Sequence, residues 1–289
     1  MTDMNTSNNS HTDSSAHPTP PAIGLIIIGD EILSGKRVDK HLPKFIELLS
    51  QRGLQLAWAE YVGDSPERIT AVLARAFASG DVVVSCGGIG ATPDDHTRQC
   101  AAKALGKPLA LHPEAKALIL ERIKDVAQEQ GVPYDPERED NVHRLNMGTF
   151  PEGAAIIPNP YNKIPGFTCQ GQGHGLVHFV PGFPVMAWPM MQAKLDAYCQ
   201  TWGVAPKRIE RSVIVLGAME ATLTPLMEAI EMAHPGVKVF SLPSVDHPQW
   251  GRHIELGVKG TEALAEDAFV ALKAGLGPFK VELGPEMVR

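Results

Sequence analysis

Apolar residues along the N-terminal two thirds of the chain alternate between the patterns of strands and helices. Ile23–Ile28 is continuously apolar, which is typical of a strand covered on both faces. An amphipathic helix follows and ends at Gly53, and its apolar stripe is formed by Leu42, Phe45, Ile46 and Leu49. Further strands are predicted at 54–58, 81–86, 154–157 and 177–180, and further helices begin at Pro66 and Pro113 or cover 141–147 and Pro184–Trp202. This alternation predicts a mostly parallel sheet with helices on both faces.

The last third of the chain changes to the order βαββαβ. Strands are predicted at Arg208–Leu216, 237–242, 253–258 and 279–283, with helices at 222–233 and 262–276. That order is typical of a small split-βαβ sandwich. The predicted fold class is therefore α/β, a three-layer α/β/α domain with a mostly parallel sheet, followed by a small α+β domain.

Composition marks the expected boundaries of these domains. Residues 1–21 are rich in Ser, Thr, Asn, His and Pro and lack an apolar core, which predicts a disordered tail. The first domain is expected to cover 22–203 and the second 204–289. The boundary is placed near Val204-Ala-Pro-Lys207.

Charge and composition exclude several classes of protein. The apolar fraction of 44% and the charged fraction of 20% are typical of globular proteins. A net charge of −7 without any run of Lys and Arg argues against nucleic-acid binding. The sequence shows no signal-peptide core and no bilayer-length apolar stretch, and its four cysteines lack zinc spacing. A soluble, cytoplasmic protein that binds no membrane is expected.

The strongest chemical signal is Gly87-Gly-Ile-Gly-Ala-Thr-Pro-Asp-Asp95, which follows a predicted strand and opens a helix. Glycines allow consecutive backbone N–H groups to point into one concavity, where they hold an anion beside the helix N-terminus. Two carboxylates at an anion site are explained if a divalent cation bridges them to bound phosphates. The structural alternative is an ordinary strand–turn–helix with Asp94 as the N-cap, and the paired aspartates favour function.

Three further loops also follow predicted strands. They are Gly29-Asp-Glu-Ile-Leu-Ser-Gly35, Val62-Gly-Asp64 and Pro181-Gly-Phe-Pro184. Ligands of open parallel sheets bind beyond the carboxyl ends of the strands, so these loops are expected to line one crevice with the glycine loop. Each loop alone also has a structural interpretation as a helix cap or a turn.

Taken together and in this order, with Pro158-Asn-Pro160 and Pro165-Gly-Phe167 between them, the segments resemble the molybdopterin-binding MoaB/Mog domain. The resemblance is to the version at the N-terminus of CinA-like competence/damage-inducible proteins, and it covers 23–202. The last third resembles the small second domain of those proteins. Self-association as a dimer or trimer is what the resemblance implies.

The resemblance implies specific roles for residues. The glycine loop would hold the terminal phosphate of molybdopterin or the phosphates of a nucleotide. Asp64 and Asp95 fall at the positions of the acidic pair used in adenylyl transfer, and they are the predicted metal ligands and, with Asp94, the predicted catalytic residues. The predicted ligand-binding residues are Gly29, Asp30, Glu31, Gly35, Gly87, Gly88, Gly90, Thr92, Thr97, Asn159, Gly166, Pro181, Gly182 and Pro184.

The chain departs from the family pattern at three places. His41 stands where the family has Asn, His96 where it often has Leu, and Asn162-Lys-Ile164 where Gly-Thr-Ala is frequent. Each histidine is either an acid–base or metal group, or structural, with His41 on an exposed helix face and His96 in a first helical turn. The structural interpretation is favoured for both.

Three functions are compatible with these residues. The favoured one is a divalent-metal-dependent hydrolase of nucleotide pyrophosphates such as ADP-ribose, with Mg²⁺ or a similar ion as cofactor. The second is adenylylation of molybdopterin in molybdenum cofactor biosynthesis. The third is a pterin- or nucleotide-binding module without turnover, which the departures at His41 and 162–164 favour and the retained acidic pair opposes.

Overall fold

The computed structural model of the protein describes residues 20–203 and 207–289. The predicted tail at 1–21 therefore lies almost entirely outside the described residues, as does the predicted domain boundary at 204–206. The described residues form two compact units. The first contains residues 20–44 and Leu56–Lys194, and the second contains Phe45–Gln55 and 195–203 with 207–289.

Strands and helices alternate through the first unit and continue into the second. The strands are β1 (Ile23–Ile28), β2 (Trp58–Val62), β3 (Val82–Cys86), β4 (Leu109–Leu111), β5 (Thr149–Pro151), β6 (Ala155–Ile157), β7 (Gly166–Gln170), β8 (Leu176–Val180), β9 (Arg208–Leu216), β10 (Lys238–His247), β11 (Gly251–Thr261) and β12 (Glu282–Val288). The helices are α1 (Asp30–Leu33), α2 (His41–Ser50), α3 (Pro66–Ser79), α4 (Thr97–Leu105), α5 (Pro113–Gln130), α6 (Glu139–Leu145), α7 (Pro184–Trp202), α8 (Glu220–Ala233) and α9 (Glu262–Gly275).

A mostly parallel sheet forms the centre of the first unit, as predicted. Its strand order is β2-β1-β3-β8-β7-β6, and β2, β1, β3 and β8 pair in parallel. β7 and β6 complete it as antiparallel strands. Every residue of β1 and β3 is buried, because helices cover both faces of the sheet. The three-layer α/β/α fold class is therefore confirmed.

Several elements differ from the prediction. The second strand begins at Trp58 and not at 54, because the Leu54 amide donates to the Leu49 carbonyl at 2.9 Å and so completes the turn that ends α2. β4, β5 and β7 were not predicted. The Phe167 ring of β7 stacks on Phe179 of β8 with a centroid separation of 4.3 Å. The Pro165-Gly166 pair that opens β7 is typical of a turn and hides the strand from local patterning.

The order of the strands creates a crevice at one edge of the first unit. The chain passes from β1 to β2 on one side and then to β3 on the other side of β1. The loops that leave β1 and β3 therefore diverge, which is the arrangement that leaves a ligand crevice at the carboxyl ends of the strands. The loop after β8, at Pro181-Gly182, ends at the same edge.

The second unit has an antiparallel sheet with the order β10-β11-β9-β12. Helices α8 and α9 pack against it around a core that includes Leu223, Phe269 and Leu272. The predicted βαββαβ order is confirmed. The last strand begins at Glu282 and not at 279, because Gly277–Phe279 form a 3₁₀ turn and Lys280 then adopts a left-handed conformation with φ of 50°.

Candidate functional site

A cleft of about 400 Å³ lies in the first unit beyond the carboxyl ends of its parallel strands. The loops after β1, β2, β3 and β8 all contribute to it, as the sequence predicted for the edge of the sheet. Eleven of the predicted site residues line this cleft: Gly29, Glu31, Asp64, Gly87, Gly88, Gly90, Thr92, Asp94, Asp95, Pro181 and Gly182.

The other predicted site residues lie behind or beside the cleft. Those that do not line it are Asp30, Gly35, Thr97, Asn159, Gly166 and Pro184. Pro184 lines a neighbouring pocket instead, and Gly166 packs so closely on the Phe179 carbonyl that a Cβ there would collide with it. These positions shape the elements around the cleft and do not face it.

Asn159 supports its own loop. It is 4% exposed, and its side-chain amide donates to the Ile164 carbonyl over 2.9 Å and to Asn162 Oδ1 over 2.8 Å. Its Oδ1 accepts from the Tyr161 amide. Asn162 and Ile164 line the cleft, so Asn159 acts on the site through the loop that it organises.

Three consecutive carbonyls of the glycine loop are held from behind. The Thr97 hydroxyl donates to the Gly87 carbonyl at 3.1 Å, and the Thr97 amide donates to the Gly88 carbonyl at 3.0 Å. The Arg98 guanidinium donates to the Ile89 carbonyl. Gly87 and Gly88 have φ of 102° and 68°, values that side-chain-bearing residues rarely adopt, and a Cβ on Gly88 would collide with the Thr97 hydroxyl.

The same fixation leaves a group of amides uncommitted. Within 20–203 and 207–289, the N–H groups of Gly88, Ile89, Gly90 and Ala91 have no acceptor in the protein. All four residues line the cleft. A concave run of unsatisfied amides of this kind attracts an anion such as phosphate.

The helix behind the loop begins differently from the structural alternative raised above. The residue that caps α4 is His96, and its side chain makes no capping hydrogen bond. Asp94 as N-cap is therefore wrong. Thr97, which was predicted to bind the ligand, instead donates both its hydroxyl and its amide to carbonyls of the glycine loop.

The two aspartates at the end of the loop have different surroundings. Oδ2 of Asp95 accepts hydrogen bonds from the amide and the hydroxyl of Thr92, the former at 2.8 Å. Asp94 is exposed, and the adjacent Thr92 side chain is the largest of the influences that lower the pKa of its carboxyl. Asp95 thus closes the loop, while Asp94 presents an ionised carboxylate to the cleft.

Asp64 lies near the carboxylates of Asp30, Glu31 and Asp94, and these four residues form an acidic wall. Its Oδ2 accepts from the Asp30 amide at 2.8 Å. Burial is the largest effect that raises the pKa of the Asp64 carboxyl, and the amide hydrogen bond opposes it. The negative charges of Asp30, Glu31 and Asp94 raise this pKa further. A bound cation would relieve this repulsion.

Among the described residues, the metal site predicted at Asp64 and Asp95 lacks a third His, Cys, Asp or Glu ligand. No three His, Cys, Asp or Glu side chains converge as a metal site anywhere in the part of the chain that the structure describes. Of the two aspartates of the glycine loop, it is Asp94 whose negative charge raises the pKa of Asp64. One oxygen of Asp95 accepts hydrogen bonds from Thr92 instead. Protein side chains alone therefore do not form a closed metal site.

Several cleft residues were not singled out from the sequence. Arg37 is the one Lys or Arg among the described residues that line the cleft, and its position just beyond the loop after β1 was the available signal. The cleft also has an apolar side, where Phe183 is 55% exposed. The side chains on this side belong to Met147, Ile164, Pro165, Phe183 and Met186.

His41 is buried, so its interpretation as part of an exposed helix face is wrong. It is 5% exposed, and its Nε2 lies 2.9 Å from the Gly182 carbonyl. Nδ1 is buried without a partner among the described groups. The bond fixes the loop after β8 to the start of α2, and Gly182 itself lines the cleft.

Comparison with known proteins places the first unit in a well-represented group. The sequence model of the probable molybdopterin-binding domain matches residues 24–199. A protein of Pyrobaculum calidifontis is 30% identical over 237 residues, which cover 81% of this chain and 86% of that protein. A CinA-like protein of Anaeromyxobacter dehalogenans is 34% identical over 163 residues, or 56% of this chain and only 37% of the relative.

A solved structure shows the same relationship. The crystal structure of CinA from Thermoplasma acidophilum is 28% identical and matches with a TM-score of 0.52. The match covers 62% of this chain and 98% of that one. In the described part of the chain, no helix has the length and apolar character needed to cross a bilayer.

Proposed function

Because this chain belongs to the MoaB/Mog family of molybdopterin-binding domains, in the form found in CinA-like proteins, we propose that its cleft binds a phosphorylated pterin or nucleotide. The observation that carries the proposal is the glycine loop, whose carbonyls are held from behind while four consecutive amides lack an acceptor among the described residues. Such amides satisfy the oxygens of a phosphate group without a formal positive charge.

The two sides of the cleft suit the two parts of such a ligand. The phosphate lies on the amides of Gly88–Ala91, close to the acidic wall at Asp64. The planar ring occupies the apolar side, where the exposed Phe183 ring offers a stacking surface and Ile164 and Pro165 offer apolar contact. Arg37 adds a cation that neutralises a second phosphate.

We further propose that the protein is a divalent-metal-dependent hydrolase of a nucleotide pyrophosphate such as ADP-ribose. Mg²⁺ is commonly held by one or two carboxylates together with substrate phosphates, so the lack of a closed protein site is compatible with this cofactor. Asp64 and Asp94 are the residues that would hold the ion, with the free oxygen of Asp95 beside them. When bound, the ion would neutralise charge that develops on the phosphates.

The residues of the chain have separate roles in this reaction. The loop amides orient the phosphate and stabilise its negative charge in the transition state. The oxygen of a water molecule bonds to one phosphorus, the bond from that phosphorus to the bridging oxygen breaks, and the bridging oxygen leaves with the other phosphate. Glu31, a carboxylate of the cleft that is not assigned to the ion, would take the proton from the water. ADP-ribose would give AMP and ribose 5-phosphate.

The same geometry supports a second reaction, adenylyl transfer to molybdopterin. In that reaction the terminal phosphate of molybdopterin attacks the α-phosphorus of ATP, and pyrophosphate leaves. The observation that favours it is the place of both Asp64 and Asp95 on the cleft, since the family resemblance assigns this pair to the transfer. A binding module without turnover is the remaining alternative.

The deciding experiment measures AMP release from ADP-ribose and FAD, and phosphate or AMP release from ATP, with Mg²⁺, Mn²⁺ or Co²⁺. Asp64→Asn keeps an acceptor for the Asp30 amide but removes the charge, and the exposed Glu114→Gln, away from the cleft, is its control. Hydrolase function predicts turnover that EDTA abolishes, that falls at least hundredfold in Asp64→Asn and that persists in Glu114→Gln. Absence of turnover together with tight nucleotide binding would contradict the hydrolase and leave transfer or binding alone.

A further inference from the structure

A second pocket, of about 320 Å³, lies behind the glycine loop. It opens between the start of α4 and the segment that joins α6 to β5. Its polar lining includes His96, Arg98, Gln99, His143, Asn146 and Thr149. Of these residues, only Arg98 also acts on the cleft, through the Ile89 carbonyl of the glycine loop, and none of the six lines it.

Arg98 is the central group of this pocket. It is only 5% exposed, yet it forms no ion pair within the described chain. Its side chain makes one hydrogen bond there, from Nη1 to the Ile89 carbonyl, and the Asp95 carboxylate acts on it only at longer range. Neither Nε nor Nη2 donates to a described residue, and Arg98 lines this pocket. A buried guanidinium with one edge uncommitted is costly unless an anion completes it.

The neighbouring side chains are also uncommitted. The side chains of Gln99, His143, Asn146 and Thr149 make no hydrogen bond to the described residues. Each of them can donate to an oxygen atom. Asp95 is the one carboxylate in the described lining of the pocket, and its Oδ2 faces Thr92 on the loop.

We propose that this pocket is a second anion site, which binds a phosphoryl group through the Nε and Nη2 edge of Arg98. That edge presents two parallel N–H groups, the fork that binds phosphate in a bidentate manner. Gln99, His143 and Thr149 supply further donors around the group.

The site is coupled to the cleft by its position. Ala91, Thr92 and Asp95 line both cavities, and the same guanidinium holds the Ile89 carbonyl of the glycine loop. A phosphoryl group at Arg98 therefore acts on the loop that forms the cleft. This group belongs either to a separate phosphorylated effector or to a distant phosphate of a ligand that extends around Thr92.

The test uses the whole chain labelled with ¹⁵N and titrated with inorganic phosphate. The Nε–H signal of Arg98 is observed directly and is identified by its absence in Arg98→Lys, or through its coupling to the Arg98 amide if that variant does not fold. Gln99→Glu and His143→Glu place a negative charge in the pocket from exposed positions. His174→Glu makes the same change at an exposed residue outside the pocket.

If phosphate binds at Arg98, the Arg98 signal of the wild-type chain should shift and saturate. The dissociation constant for phosphate should be at least tenfold larger in Gln99→Glu and His143→Glu and should change less than twofold in His174→Glu. An unshifted Arg98 signal, or unchanged phosphate binding in the two pocket variants, would overturn the proposal.

A second titration, with the cleft saturated by ADP-ribose, distinguishes the two sources of the phosphoryl group. If added phosphate still shifts the Arg98 signal in the presence of ADP-ribose, the phosphoryl group belongs to a separate effector. If ADP-ribose itself shifts that signal and prevents a further shift by phosphate, one extended ligand occupies both cavities. Neither result depends on whether the cleft hydrolyses anything.

Discussion

Asp30 and Asp64 hold each other through reciprocal hydrogen bonds. The Asp30 amide donates to Oδ2 of Asp64 at 2.8 Å, and the Asp64 amide donates to Oδ1 of Asp30 at 3.1 Å. These bonds join the loop after β1 to the loop after β2 and place the Asp64 carboxylate on the cleft. Asp30 does not line the cleft itself, so its role is to position Asp64 and to add negative charge beside it.

The acidic wall predicts that the ionised Asp64 carboxylate lowers the stability of the folded protein at neutral pH. Its pKa is raised above 3.8 in the folded protein, chiefly by burial, so the folded state binds a proton more tightly than the unfolded state there. Folding stability from this group is therefore present at pH values below 3.8 and is lost as pH rises through the raised pKa. Asp64→Asn should raise the melting temperature at pH 7 by roughly 1–3 °C and should not raise it near pH 3. Calorimetry at both pH values checks this, and a less stable variant at pH 7 would contradict it.

The glycine loop should not tolerate a side chain at Gly88. Gly88→Ala adds a Cβ that collides with the Thr97 hydroxyl, in addition to the strain of a positive φ. Gly106→Ala is the matched control, because its φ of 64° is similar and no atom lies within 4 Å of the added Cβ. The control should lose roughly 1–2 kcal/mol of unfolding free energy. Gly88→Ala should lose more, as measured by urea unfolding, and equal losses would show that Thr97 does not restrict the loop.

The Thr97 hydroxyl should stabilise the loop from behind. Thr97→Val keeps the shape of the buried side chain but leaves the Gly87 carbonyl without its donor. The expected loss is about 1–2 kcal/mol of unfolding free energy, together with weaker phosphate binding in the cleft. Thr97→Ser restores the donor and should recover most of both quantities. Equal phosphate affinity in the Val and Ser variants would argue against the hydroxyl as a determinant of the loop.

His178 should cause much of the acid sensitivity of the first unit. Burial, with a smaller effect of the Lys194 charge, lowers its pKa from 6.5 to about 3, and the neutral ring shares a 2.8 Å hydrogen bond with the Thr168 hydroxyl. Between pH 6.5 and pH 3 the unfolded chain binds a proton at His178 and the folded chain does not. The contribution of this group to the unfolding free energy is therefore fully present above pH 6.5 and falls as pH decreases towards 3. The unfolding free energy should fall by about 1.4 kcal/mol per pH unit from this group once the pH is well below 6.5 and still above 3. This slope should be absent in His178→Gln. An unchanged slope in that variant, with His174→Gln as the exposed control, would exclude His178.

The fold was largely predictable from sequence because its main signals are local. The continuous apolar run of β1, the Ser65-Pro66 start of α3 and the βαββαβ order of the last third each depend on neighbouring residues only. β7 was not predictable in this way. Its residues gain their partners from β6, β8 and the Phe150 ring, which stacks on Phe167 at 4.5 Å. The strand itself opens with Pro165-Gly166, a pair that local patterning assigns to a turn.

For the candidate site, the sequence indicated the loops better than the side chains. The ends of parallel strands meet at one edge whatever the details, so the convergence of Gly29, Asp64, Gly87 and Gly182 followed from topology. The direction of an individual side chain depends on tertiary packing. Asn159 therefore turns into its own loop, and Arg98, which would be expected on a helix surface, is buried against the Ile89 carbonyl.

The most direct test of the central claim, phosphate binding on the glycine loop, is calorimetric titration of ADP-ribose and of adenosine into the wild-type chain, Thr97→Val and Gly106→Ala. Adenosine serves as the comparator because it has a nucleoside ring but no phosphate. If the glycine loop binds phosphate, ADP-ribose should bind at least tenfold more tightly than adenosine. The affinity for ADP-ribose should fall markedly in Thr97→Val and should be unchanged in Gly106→Ala. Equal affinity for adenosine and ADP-ribose, or full ADP-ribose affinity in folded Thr97→Val, would contradict it.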